Sequence, residues 1–133
     1  MMEGTKSFYK YVLPAILYAV VIFIVSSIPS LTPPRLGTSW DDKIYHFIEY
    51  AGFGFLIFRA FLSWKQTSPV GRRTLLTLLI GISIGAVDEL HQHFIRNRVP
   101  EFSDWYADSA GIVAGTIAAL LLVWFVRSRL RGR

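Results

Sequence analysis

Two long apolar runs constrain this chain more than any other feature: Tyr11 to Ile28 and Ser109 to Val126 each extend 18 residues without a charge. A soluble amphipathic helix carries a polar face at a 3.6-residue period, and neither run has one. Each is long enough to cross the roughly 30 Å hydrocarbon core of a bilayer as a helix. Two weaker segments lie between them. Ile44 to Trp64 contains His46, Glu49 and Arg59, while Thr74 to Val87 is uncharged and runs into Asp88, Glu89 and His91. Such segments can cross only when their ionizable ends reach a headgroup zone or a polar cavity. The expectation is an all-α, integral membrane four-helix bundle, one domain over 1–133, with spans near 9–28, 44–64, 74–93 and 105–127.

Cleavage of the first segment as a signal peptide is disfavoured, because its apolar run exceeds the usual 7 to about 15 residues. With four spans both termini share one side of the membrane. That side carries Lys6, Lys10, Lys65, Arg72, Arg73, Arg127, Arg129, Arg131 and Arg133, against Arg35, Lys43, Arg96 and Arg98 opposite, with Arg59 near the inner end of its helix. Nine against four predicts cytoplasmic termini in the bacterial cytoplasmic membrane. Trp40 and Trp105 then open the second and fourth helices outside, and Trp64 and Trp124 close them inside, as interfacial indoles prefer. The pI near 9.8 reflects this flanking charge; the basic residues form no stripe with interleaved aromatics, and no nucleic-acid partner is expected. Pro29, Pro33, Pro34 and Gly37 mark an irregular first outer loop.

This topology collects the unusual polar residues at one depth. Asp42, Lys43, His46, Glu49 and Tyr50 begin the second helix; Asp88, Glu89, His91 and Gln92 end the third; Arg96 and Arg98 follow, and Asp104 and Asp108 begin the fourth. Residues three, four or seven apart share a helical face. Asp42, His46, Glu49, Tyr50 and Phe53 therefore line one side, Gly81, Gly85, Asp88 and Gln92 a second, and Asp104, Asp108, Gly111 and Gly115 a third. Small residues at four-residue spacing let helices approach closely, so these faces point inward and their carboxylates meet.

Crowded acids in a partly dry site need compensation, and Lys43, His46, Arg96 and Arg98 are the available cations; Arg98 could bridge two carboxylates. Read blandly, the cluster is a salt-bridged rim tying helix ends together, with His91 and His93 toward the headgroups. Read functionally, it binds a ligand through Asp42, Lys43, His46, Glu49, Tyr50, Asp88, Glu89, Gln92, Arg98, Asp104 and Asp108, or performs acid–base chemistry through His46, Asp88 and Asp104. His46-x-x-Glu49 and Asp88-x-x-His91 have the spacing of metal ligands, with Asp104 or Asp108 as further oxygen donors. That spacing arises easily by chance and Lys43 and Arg98 oppose a cation, so no metal or cofactor is expected.

The pattern Asp42-Lys43-x-x-His46-Phe47-x-x-Tyr50-x-Gly52, then Asp88-Glu89-x-His91-Gln92-x-Phe94, then Arg98, then Ser103-Asp104-x-x-x-Asp108-x-x-Gly111-x-x-x-Gly115 resembles the VanZ-like family of small bacterial membrane proteins. The resemblance covers about Asp41 to Val123. Where relatives often carry Pro-Gly before the loop arginine, this chain has Arg96-Asn97, and Asn97 can still adopt a turn conformation. Some members carry Asn in place of Asp108. The family's namesake is associated with low-level resistance to the glycopeptide teicoplanin, so the resemblance implies a part in envelope physiology or glycopeptide tolerance. The expected partners are membrane lipids, a lipid-linked cell-wall precursor or a lipoglycopeptide. The alternative is a membrane-embedded hydrolase or transferase acting on a lipid-linked substrate. There is no cysteine, no G-x-S-x-G and no P-loop to supply a familiar nucleophile or phosphate cradle. Transport is less attractive, since no charged relay crosses the middle of the chain's spans.

Overall fold

The structure, a computed structural model, describes residues 2–31, 34–63 and 68–132. Every regular element among them is helical: α1 (Met2–Ser7), a π-helical turn (Phe8–Val12), α2 (Leu13–Ser26), α3 (Asp41–Leu62), α4 (Val70–Gln92) and α5 (Phe102–Arg131). The first three run on as one rod, because the residues that join them keep right-handed helical dihedrals. Pro14 lacks the N–H that would bond one turn back, and the wide turn just before it absorbs that defect: Leu13 donates to the carbonyl of Phe8, five residues earlier. Four helical rods result, in agreement with the expected all-α bundle.

Three of them are long and apolar enough to cross a membrane: Gly4–Ser26, Val70–Gln92 and Phe102–Arg131. By composition α3 falls short, because Asp41, Asp42, Lys43, Glu49 and Arg59 interrupt it. Burial explains how it is accommodated. Tyr50, Phe53, Gly54, Ile57 and Phe58 of α3 are all buried against neighbouring helices, and the Arg59 guanidinium lies 5.2 Å from the Tyr11 ring centroid. The helices also run past the apolar segments. α5 begins three residues before 105 and ends four after 127, because backbone hydrogen bonding continues where side chains leave the hydrocarbon. The expected roles of Pro33, Trp64, Lys65 and Arg133 fall outside the described residues.

Burial is inverted relative to a water-soluble protein. Leu17, Leu90 and Leu121 are 54%, 62% and 60% exposed, whereas Thr77, Asp88 and Asp108 are wholly buried. A surface of this kind suits lipid, in which apolar side chains gain nothing by turning inward. Together with the three spanning-length helices, it marks a membrane protein.

What holds the bundle is close backbone approach. A Cβ on Gly115 would collide with the carbonyl oxygen of Ala51, one on Gly111 with that of Phe47, and one on Gly54 would stand 2.6 Å from that of Ile112. The facing small residues of α3 and α5 thus let the two backbones touch, and this is the most extensive helix pair in the fold. α4 lies across both, with Gly81 admitting the Ile112 side chain. α2 touches α3 and α4 more sparingly, mainly through Tyr18, Ala19 and Ile22 beside Phe53. Thr77 and Thr116 return their hydroxyls to carbonyls four residues back, Arg73 and Ile112, at 2.8 and 2.7 Å, so neither needs a partner across the bundle.

Gly115→Ala should lower stability by about 1–3 kcal/mol through overpacking, whereas Gly71→Ala, with open space around its Cβ, should be neutral or slightly stabilizing; thermal unfolding of the detergent-purified protein measures both.

Candidate functional site

The helix ends that gather at one side of the bundle are the C-terminal end of α2, the N-terminal end of α3, the C-terminal end of α4 and the N-terminal end of α5. Periodicity places the side chains. Asp88 and Gln92 follow Gly81 and Gly85 along the buried face of α4, and Asp104 and Asp108 precede Gly111 and Gly115 on that of α5. Close packing at the glycines therefore carries the acids above them into contact range. Gly85 has a direct part, since a Cβ there would meet Asp108 Cβ at 3.3 Å and the Tyr50 ring at 3.4 Å.

Two linked networks result. In the first, His46 Nδ1 lies 2.9 Å from Asp108 Oδ1. Beside it, Asp88 Oδ2 accepts hydrogen bonds from Ser26 Oγ at 2.8 Å and Gln92 Nε2 at 3.2 Å. Glu89 Oε2 accepts the backbone N–H of Glu101 at 3.1 Å, and its Oε1 lies 3.5 Å from Gln92 Nε2. In the second, the Lys43 ammonium touches three carboxylates, Asp42 and Glu101 at 2.7 Å and Asp104 at 2.9 Å. Glu101 joins the networks, its N–H serving Glu89 and its carboxylate serving Lys43 and the Ser103 hydroxyl.

The expected residues thus converge, though with different partners. His46 pairs with Asp108 rather than with Asp42, which Lys43 holds, or with Glu49. Asp88 and Glu89, although about 100 degrees apart around α4, are both buried: Asp88 faces α2 and Glu89 the loop that leads into α5. Arg98 bridges no carboxylates among the described residues; its Nη2 lies 3.4 Å from the Val25 carbonyl, capping the open end of α2. His91 sits beside Ser27, with Nε2 to Oγ 2.9 Å, and against the Phe23 ring. Glu49, Asp88 and His91 belong to no compact group of three potential ligands among the described residues. Instead, donor atoms of His46, Glu89 and Asp108 lie within 4.8 Å of one another, as do those of Asp42, Glu101 and Asp104.

Sequence reasoning did not single out Ser26 or Glu101. Ser26 ends the first apolar run at the depth of the acids, and Glu101 stands three residues before Asp104; both positions were signals of a kind that periodicity within one helix does not weigh. The loop turns at Asn97, whose φ of +60° is the left-handed conformation expected of asparagine there, and its side chain donates to Ser30 Oγ at 3.1 Å. Trp105, expected at the interface, donates its indole N–H to the Ile82 carbonyl at 3.2 Å and so ties α5 to α4. Trp40 and Trp124 are exposed at opposite ends.

A family model described as VanZ/LLP1 matches residues 11–124. No curated protein and no solved structure matches the chain.

The Lys43 ammonium, followed by the Ser103 hydroxyl, holds the Glu101 carboxyl below its ordinary pKa of 4.5. A depressed folded-state pKa contributes stability that is complete above the unfolded value and is lost as pH falls through the folded one. The stability difference between wild type and Glu101→Gln should therefore be constant near neutrality and close as the pH drops below 4.5, which acid titration of the unfolding transition measures.

Proposed function

The chain belongs to the VanZ/LLP1 family, and from that premise we propose that it is a four-pass protein of the bacterial cytoplasmic membrane that holds an amphiphile, headgroup at the outer polar end and tail along α2. The observation that carries this reading is a crevice. Gly4, Ser7, Phe8, Val12, Ala15 and Ile16 line its lower part, about 590 Å3 in volume. Ile16 and Ala19 also border a shallow, open patch along α2 that ends at Phe23, Ser27 and His91. The crevice exists because α2 packs loosely on α3 and α4, and its volume is of the size that binds small molecules. Its apolar floor suits an acyl or isoprenoid chain. Its upper end carries Ser27 and His91, hydrogen-bonding groups for a polar head, next in sequence to Ser26, which bonds Asp88.

The Lys/Arg asymmetry supports cytoplasmic termini, which puts the polar end on the outer face. That is where lipid-linked cell-wall precursors and lipoglycopeptides are met, so glycopeptide tolerance follows as sequestration of a tailed glycopeptide or of its target. A second reading, a hydrolase or transferase acting on the same lipid-linked class, is favoured by one observation: His46 and Asp108 form an imidazole–carboxylate couple at 2.9 Å, the arrangement that orients a general base. Turnover of envelope lipids that is abolished by His46→Ala and Asp88→Asn would establish it.

Sidedness is tested by reporter fusions. Alkaline phosphatase joined in the Arg98 to Glu101 loop should be active, and the same enzyme joined after Arg127 should not; the reverse pattern removes the reading. Ligand class is tested with the purified protein and three probes: an anionic phospholipid, a lipid-linked cell-wall precursor and teicoplanin. Saturable binding of at least one is expected, weakened by about tenfold in Arg98→Ala and in Ala19→Trp, which plugs the crevice beside the open patch. No saturable binding of any of the three, or binding indifferent to both substitutions, overturns it.

A further inference from the structure

We propose that His46, Glu89 and Asp108 bind one divalent first-row transition-metal ion. Their donor atoms come from α3, α4 and α5 and lie within 4.8 Å of one another, near the span of two metal–ligand bonds of about 2.1 Å each. Glu89 is 8% exposed and Asp108 wholly buried. Asp108 gives Oδ1 to His46, and its buried Oδ2 has no hydrogen-bond partner among the described residues. Such an atom is costly to bury unless a cation or donor meets it.

The protein contains its own comparison. The neighbouring trio of Asp42, Glu101 and Asp104 has the same compactness, and there an ammonium lies against all three carboxylates. No lysine or arginine among the described residues makes an ion pair with Glu89 or Asp108. At the level of sequence Lys43 and Arg98 argued against a cation. The geometry removes both objections, since Lys43 is committed to the other trio and Arg98 lies against the Val25 carbonyl.

Donor chemistry selects the class of ion. An imidazole with two carboxylates suits manganese, iron or zinc, whereas magnesium and calcium favour all-oxygen sites. Outer groups orient the ligands as metal sites require: the Glu101 N–H and Gln92 fix the Glu89 carboxylate, and Gln92 and Ser26 fix the adjacent Asp88. The inference goes beyond amphiphile binding and does not depend on it, because it is tested without lipid ligand.

The test uses the full chain in detergent, stripped with chelator and titrated with Mn2+, free ion being read from its paramagnetic resonance signal. One ion should bind per chain with a dissociation constant tighter than about 100 µM, with at least about tenfold weaker binding in Glu89→Gln and in His46→Ala. Asp41→Asn, an acid at the same end but outside both trios, should bind as wild type does. Mg2+ in about 100-fold excess should leave the ion in place. The proposal is overturned by wild-type binding weaker than that threshold, by affinity unchanged in both ligand variants, by equal loss in Asp41→Asn, or by displacement with Mg2+. The wild-type titration decides alone if a variant does not fold, and loss of amphiphile binding leaves this result untouched.

Discussion

A carboxylate removed from water must be met by a proton, a donor or a cation, and that requirement governs how the polar end of this bundle is built. Asp88, Glu89, Asp104 and Asp108 are all at least nine-tenths buried, on two helices whose other faces are apolar. Their partners come from three further places: the serine that ends α2, the lysine and histidine that open α3, and the loop before α5. Gln92 serves both acids of its own helix α4, but no element satisfies its acids alone. The cluster therefore acts as a lock that closes only when every helix end is in position, which supplies directional contacts that apolar packing in lipid does not.

The lock depends in turn on the small residues below it. Because Gly111 and Gly115 let the α5 backbone rest on α3, Asp108 comes within hydrogen-bonding distance of His46 across two helices. Larger residues at those positions would separate the helices and draw the pair apart. Small residues at mid-bundle and acids one or two turns above are thus one structural device. This accounts for their shared stripe on both α4 and α5, where four-residue spacing alone repeats both.

Much of this was legible in the chain itself. The helical rods follow from the uncharged runs, and the inward stripes from Gly81–Gly85–Asp88–Gln92 and Asp104–Asp108–Gly111–Gly115, all of which are buried. Pairings across the bundle were less so. Periodicity says which residues share a face but not the axial offset between two faces, so His46 was free to meet Asp42, Glu49 or Asp108, and Arg98 to meet an acid or a carbonyl. The same limit hid Glu101, whose backbone N–H rather than its side-chain type gives it a place beside Glu89. The second span was read from the chain as a weaker one, and α3 is indeed not among the helices apolar enough to cross by composition; its polar N-terminal third finds partners on neighbouring helices instead.

The loose seat of α2 connects this architecture to a working site. α2 has few apolar contacts with the bundle, and its outer end is fastened by Ser26 to Asp88, by Ser27 to His91 and by its terminal carbonyl at Val25 to Arg98. One of those three fasteners, Asp88, belongs to the polar cluster. On the proposed reading, a tail in the crevice would bear on α2 and so on these fasteners. The tail groove and the polar end are therefore mechanically joined through the last turn of one helix. Below the acids, the buried polar side chains of α4 and α5 are Thr77 and Thr116, each closed on its own helix, and Arg73 in the first turn of α4. Acids gathered at one end, with an apolar slot beside α2, are what the proposed sideways entry of an amphiphile from the bilayer requires.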